Sequence, residues 1–196
     1  YLVRNNDLKY WGPMTVSEAL ANSRNVPVIL ASEKIRMENI LQLFRKLEFT
    51  HLTDDVSKYG YGLALGIGGV SLIQLARAYS VFSSDGILYP LSIGKDRDKE
   101  ILLNPKKEIF SKSVTSQIKY ILSRKELRRN AFGKRNFLDF PFDVALKTGT
   151  SKDYRDSWTV GFTDKYVVAV WVGDFQAKRM NAVSGTFGAG RSVHQI

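Results

Sequence analysis

The sequence contains no cysteine, and its only histidines are His51 and His194. Disulfides and thiolate chemistry are therefore excluded. Two separate histidines with no cysteine beside them make no zinc pattern, so neither a metal nor another cofactor is expected. The lack of thiols fits an oxidising compartment. No apolar run approaches the ~20 residues that span a bilayer. An initiator methionine and a signal peptide are missing as well, since the chain opens on Tyr1-Leu2-Val3-Arg4. The expectation is a piece of a longer protein, with any membrane anchor or export signal outside it. Acidic residues are in short supply: 19 Asp and Glu face 29 Lys and Arg, for a net charge of +10. The densest basic cluster is Lys125, Arg128, Arg129, Lys134 and Arg135, with Phe132 and Phe137 interleaved. No nucleic-acid-binding signature accompanies it, so it is read as a solvated basic face and no nucleic-acid partner is expected. Attraction to an anionic membrane surface or polymer is a middle reading.

What the chain does have is enough apolar content, 44% over 196 residues, for a folded domain or a large piece of one. Asn5 to Pro13 is polar and turn-rich. Thr15 and Glu18 form a capping box, so a helix starts there and breaks at Ser23-Arg24-Asn25. Asn25 is expected to cap a second helix that carries Pro27 in its first turn. Met37, Ile40, Leu41, Phe44 and Leu47 mark a third. Tyr59 to Gly69 is a closely packed glycine-rich connection, because it has neither the G-x-G-x-x-G register nor a P-loop lysine. Ser71 and Gln74 cap a fourth helix, with Leu72, Leu75, Ala76, Tyr79 and Phe82 as its inward stripe and Gly86 at its end. Residues 87–90 are a short extended piece, 94–108 a charged loop or hairpin. Val114, Ile118, Ile121 and Leu122 mark another helix.

Three strands follow: the run into Lys147, then Trp158 to Phe162, then Tyr166 to Val172, the last two joined by the hairpin Thr163-Asp164-Lys165. Residues 185–190 are a glycine-rich turn and Arg191 to Ile196 the start of a helix. Helices first and strands late indicate an α+β fold with an antiparallel sheet and flanking helices.

The chemically unusual stretch is Lys147-Thr148-Gly149-Thr150-Ser151. A cation, two hydroxyls and a residue without a Cβ suit an edge strand that holds an anionic, peptide-like ligand. Lys147 would supply positive charge, Thr148 and Thr150 hydrogen bonds to a carboxylate, and Gly149 room for another backbone. Spacing alone leaves open a strand that merely ends in a polar turn. Upstream, Ser23 and Asn25 fit S-x-N in a loop able to present both side chains to a cleft; capping by Asn25 is the plain alternative.

Together K-T-G and S-x-N resemble the transpeptidase domain of class A penicillin-binding proteins, most nearly those of the 1C type. The likeness also covers Ala19 to Pro27, Leu63 to Gly66, Leu75 to Tyr79, Lys147 to Trp158, Val170 to Gly173, and Ser184-Gly185 with Gly188-Ala189-Gly190. It implies the penicillin-binding/serine β-lactamase-like fold, with residues 1–196 as its C-terminal portion, incomplete at the N-terminal side. It implies a D,D-transpeptidase that cross-links peptidoglycan stem peptides through an acyl-serine. By resemblance Ser23 relays protons, Asn25 holds the substrate amide and Lys147 raises the local potential. Thr148, Gly149, Thr150 and Ser151 bind substrate, and the Thr150 N–H lines the oxyanion hole.

The ligands implied are the D-Ala-D-Ala stem peptide and β-lactam antibiotics, and an upstream glycosyltransferase domain belongs to such parents. The location implied is the extracytoplasmic face of the membrane. The family's S-x-x-K serine precedes S-x-N, but residues 1–22 hold no such string. Ser92 with Lys95 and Ser116 with Lys119 have the spacing but not the surroundings. The isolated chain is therefore expected to be inactive, and poorly soluble or partner-dependent. A serine β-lactamase or D,D-carboxypeptidase of the same fold, or a non-catalytic basic binding module, remain alternatives.

Overall fold

The structure is a computed structural model that describes residues 3–92, 105–181 and 183–196. Its helical half begins with α1 (Val16–Ala21), whose Thr15–Glu18 capping box forms as the sequence predicts. Helix α2 (Asn25–Ile35) and helix α3 (Met37–Lys46) follow. Short 3₁₀ turns at Val56–Lys58 and Gly60–Leu65 carry the glycine-rich connection. Helix α4 (Leu72–Ser83) starts at a formed Ser71–Gln74 capping box. Its buried line is centred on Ala78 and Val81, and Leu72 at its first turn is exposed. Leu75, Tyr79 and Phe82 of the expected stripe do pack inward, and Ala78 and Val81 are buried beside them because α4 packs on two sides, against the α3 core and against the sheet. Strand β1 (Ile87–Leu88) pairs antiparallel with β2 (Lys107–Glu108). Residues 94–104 of the expected charged loop lie outside the described residues.

Helix α5 (Lys112–Ser123) turns directly into α6 (Lys125–Phe132). On α5 the buried positions are Thr115 and Leu122, while Val114 faces out. The sheet consists of β3 (Ala145–Thr150), β4 (Asp156–Phe162) and β5 (Val167–Gly173), in the order β3-β4-β5 and antiparallel throughout. The Thr163 N–H closes the β4–β5 hairpin on the Tyr166 carbonyl at 2.9 Å. Helix α7 (Ala189–Gln195) ends the chain.

Strand periodicity sends alternate side chains to opposite faces. Ala145 joins Phe162 and Leu122 on one side, with Tyr79 and Phe82 packed against them. Leu146 joins Val144, Leu138 and Val193 of α7 on the other. The Phe82 ring stacks on Phe162 at 5.6 Å between centroids and fixes α4 to the sheet. Two hydroxyls interrupt the apolar pattern of β4: Ser157 and Thr159 are fully buried. Ser157 Oγ donates to the Ser184 carbonyl at 2.8 Å and accepts from the Ala189 N–H at 3.0 Å. Thr159 Oγ1 donates to the Gly185 carbonyl at 2.9 Å. Both satisfy the backbone of the 184–189 turn, which makes them structural anchors for the segment facing β3.

Candidate active site

β3 is an edge strand, so its outer side borders a cleft of about 540 Å³. The cleft is lined by Ser23, Asn25, Lys147, Thr148, Gly149 and Thr150, six of the seven residues singled out from sequence. The opposite walls come from Asn130–Phe132 at the end of α6, from Ala64 and Leu65, and from Ser184–Phe187.

Ser23 sits in the α1–α2 corner with φ of 53°, the left-handed region that a non-glycine residue enters at a cost of about 1–2 kcal/mol. What holds it there is its neighbour Arg24. Arg24 is 3% exposed, bonds Asp7 Oδ2 at 2.7 Å and the Lys9 carbonyl, and lies 3.9 Å over the Trp11 ring. The guanidinium in turn holds the Asp7 carboxyl below its usual range. The turn-rich segment 5–11 is thus a clamp on the corner. Sequence reading missed it because the middle position of S-x-N carries no motif information.

The expected cap is corrected too. Asn25 is the first residue of α2, and Arg24 at the cap makes no side-chain bond to the helix. The capping oxygen comes from Asn5, whose Oδ1 accepts from the N–H groups of Asn25 and Val26 at 3.0 and 3.2 Å. The Asn25 side chain donates to the Arg4 carbonyl at 3.0 Å. Asn5 is 5% exposed, and only tertiary folding could reveal a cap supplied from 20 residues away.

Asn22, 3% exposed, ties the corner to α6: its Nδ2 donates to the Leu127 carbonyl at 2.6 Å and its Oδ1 accepts from the Ala131 N–H at 3.0 Å.

Lys147 reaches from β3 into this corner. Its Nζ donates to Ser23 Oγ at 2.6 Å and to the Thr148 carbonyl at 2.8 Å. No carboxylate pairs with it among the described residues. Burial without a counter-charge pushes the ammonium down to about 8.

Thr150 Oγ1 accepts from the Gly185 N–H at 2.9 Å, leaving its own O–H free to donate. The close backbone approach expected at Gly149 falls instead at Gly185, where a Cβ would stand 2.8 Å from the Gly149 carbonyl oxygen. Ser151 lies beyond the cleft lining. Its Oγ accepts from the Asp156 N–H at 2.8 Å and its N–H donates to the Asp156 carbonyl at 3.0 Å, closing the β3–β4 turn. Ser116 and Lys119 lie on α5 outside the cleft lining, and Lys119 pairs with Asp164. Lys95 falls outside the described residues.

Residues 3–187 match the family described as the penicillin binding protein transpeptidase domain. Penicillin-binding protein 4 of Bacillus subtilis is 31% identical over 88% of this chain and 28% of its own length. Penicillin-binding protein 1C of Escherichia coli is 28% identical over 88% of this chain and 21% of its own. The chain thus spans less than a third of such relatives. In fold, penicillin-binding protein 1A of Haemophilus influenzae superposes with a TM-score of 0.72 at 19% identity, over 99% of this chain and 35% of that one. No helix among the described residues is long and apolar enough to cross a membrane. With the family matched over nearly the whole chain and its K-T-G and S-x-N residues converging on one cleft, this chain belongs to the penicillin-binding protein transpeptidase domains.

Proposed function

We propose that residues 1–196 build two walls of the acyl-transfer site of a peptidoglycan D,D-transpeptidase, and that the attacking serine comes from outside them. The observation that carries this reading is the 2.6 Å bond from Lys147 Nζ to Ser23 Oγ, which links the two motifs across the cleft. In the reaction, a serine Oγ attacks the penultimate carbonyl of a D-Ala-D-Ala stem. The C–N bond to the terminal D-Ala breaks, and its amine leaves with a proton. The amine of a neighbouring stem then attacks the ester, releases the serine and forms the cross-link.

Ser23, hydrogen-bonded to Lys147, can pass a proton to the leaving amine. The Lys147 ammonium and the hydroxyls of Thr148 and Thr150 face the terminal carboxylate. The Thr150 N–H offers one oxyanion donor, a type of contact whose loss typically costs about 3 kcal/mol. A β-lactam would enter as a mimic of the same peptide and stop at the acyl-enzyme. An anchor, a glycosyltransferase domain and an extracytoplasmic location belong, in this proposal, to the parent protein.

The test is labelling with a fluorescent penicillin. The full-length parent should be labelled covalently and the isolated chain should not. Labelling of the isolated chain at Ser92 or Ser116 would overturn the assignment.

A further inference from the structure

The 184–189 turn is anchored by the buried hydroxyls of Ser157 and Thr159, and it carries a third buried hydroxyl that anchors nothing. Thr186 is 5% exposed and lines the cleft. Its side chain makes no hydrogen bond among the described residues. Its Oγ1 is nevertheless not sealed. Among the described residues, the partnerless side-chain atoms closed off from solvent are Arg24 Nε, Ser83 Oγ and Arg128 Nε. A side chain so deeply buried on the lining of a cleft has that cleft as its opening. A nearly buried hydroxyl without a protein partner costs free energy unless something in the cleft meets it, and valine would pack as well without that cost.

The turn places Thr186 against the K-T-G strand. Its neighbour Gly185 lies so close to β3 that an added Cβ would stand 2.9 Å from Thr148 Cβ and 2.8 Å from the Gly149 carbonyl oxygen. Consecutive Cα atoms are ~3.8 Å apart, so Thr186 stands beside Thr148. The Thr148 hydroxyl also bonds nothing among the described residues. Thr150 Oγ1 accepts from the Gly185 N–H and keeps its own O–H. Lys147 Nζ spends two of its three N–H groups on Ser23 and the Thr148 carbonyl. Among the described residues lining the cleft, the one carboxylate is that of Asp7, and Arg24 engages it. Four donors thus face the cleft with no acceptor of the protein to take them. A carboxylate offers about four lone-pair sites and takes stronger hydrogen bonds than a neutral acceptor does.

We propose that Thr186 is a further binding residue for the terminal carboxylate of the substrate, acting from the wall opposite Thr148 and Thr150. The proposal rests on the transpeptidase reading and deepens it: the carboxylate is gripped from two segments, the edge strand and the 184–189 turn. The two buried hydroxyls of β4 then have a purpose beyond stability, since they fix the backbone on which Thr186 is carried.

The experiment measures acylation of the full-length parent by benzylpenicillin and by its methyl ester, which keeps the ring but loses the anion. Intact-mass spectrometry gives both rates for wild type, Thr186→Val, Thr186→Ala and Thr186→Ser. Loss of one hydrogen bond to a charged group should slow acylation by the acid about tenfold in the Val and Ala variants and by the ester less than twofold. Thr186→Ser, which restores the hydroxyl, should return the acid rate to within about threefold of wild type. An unchanged ratio of acid to ester in both the Val and Ala variants would overturn the proposal, whether neither rate falls or both fall together. A Ser variant as slow as the Val variant would overturn it too. A wild-type parent that no penicillin acylates would sink the transpeptidase reading itself, whereas a labelled wild type with an unchanged ratio removes Thr186 alone.

Discussion

Lys147 and Ser23 lie 124 residues apart in sequence and 2.6 Å apart in space, the first from an edge strand and the second from a helix corner. The contact joins the sheet to the helical half at the point where both border open space. Everything that fixes either partner therefore bears on the cleft, and four consequences can be measured.

Replacing Lys147 with methionine keeps most of the packing and removes the cation. In the full-length parent, acylation by penicillin should fall about 10²–10³-fold, the range seen when a comparable electrostatic contact is lost. Labelling kinetics measure this directly; an unchanged rate would remove Lys147 from the proposed site.

The same lysine gives a pH dependence of stability. Its folded value of about 8 lies below the ~10.4 of an exposed lysine, so between the two the unfolded chain binds more protons. Burial of the charge thus opposes folding fully below pH 8, and the penalty fades as pH rises toward 10.4. Lys147→Met should therefore stabilise the chain relative to wild type near pH 7, with the advantage shrinking by pH 10. Urea midpoints at the two pH values test the sign, and a pH-independent difference would contradict it. A bound carboxylate favours the ammonium, so carboxylate affinity should decline above pH 8, by at most about tenfold per pH unit.

Asn5→Ala removes the oxygen that caps α2 and leaves the N–H groups of Asn25 and Val26 unpaired. Loss of such a cap costs about 1–2 kcal/mol. Urea unfolding should show it, and penicillin labelling of the parent should slow as well, because the corner holding Ser23 loosens.

Gly185→Ala would put a Cβ 2.8 Å from the Gly149 carbonyl oxygen and 2.9 Å from both Thr148 Cβ and the Trp158 carbonyl oxygen. These are backbone and strand atoms that cannot swing aside, so a loss of about 1–3 kcal/mol is expected, together with impaired acylation of the parent. Gly69→Ala is the control, since nothing lies within 4 Å of its added Cβ. It should leave the thermal midpoint unchanged or slightly raised.

Much of the fold was legible because it rests on local rules. The Thr15 and Ser71 capping boxes, the α3 stripe and the short β4–β5 turn each involve residues a few positions apart. The exposure of Leu72 and Val114 was not legible, because a helix packed on more than one side has no single apolar face to read. The expected solvated basic face is wrong at Arg128, which is buried with its guanidinium on the Leu122 and Leu138 carbonyls, because charge alone does not show that a helix end nearby has carbonyls to fill.

Element types, the antiparallel sheet and the K-T-G and S-x-N strings could be read without coordinates, since periodicity and motif identity are properties of neighbours along the chain. Folding was needed to show that Lys147 meets Ser23 with no carboxylate paired to it among the described residues, that Asn5 and Arg24 hold the corner, and that Ser151 closes a turn instead of lining the cleft. Such contacts depend on how separate elements dock, and docking is set by packing and desolvation summed over the whole core, which no local pattern records.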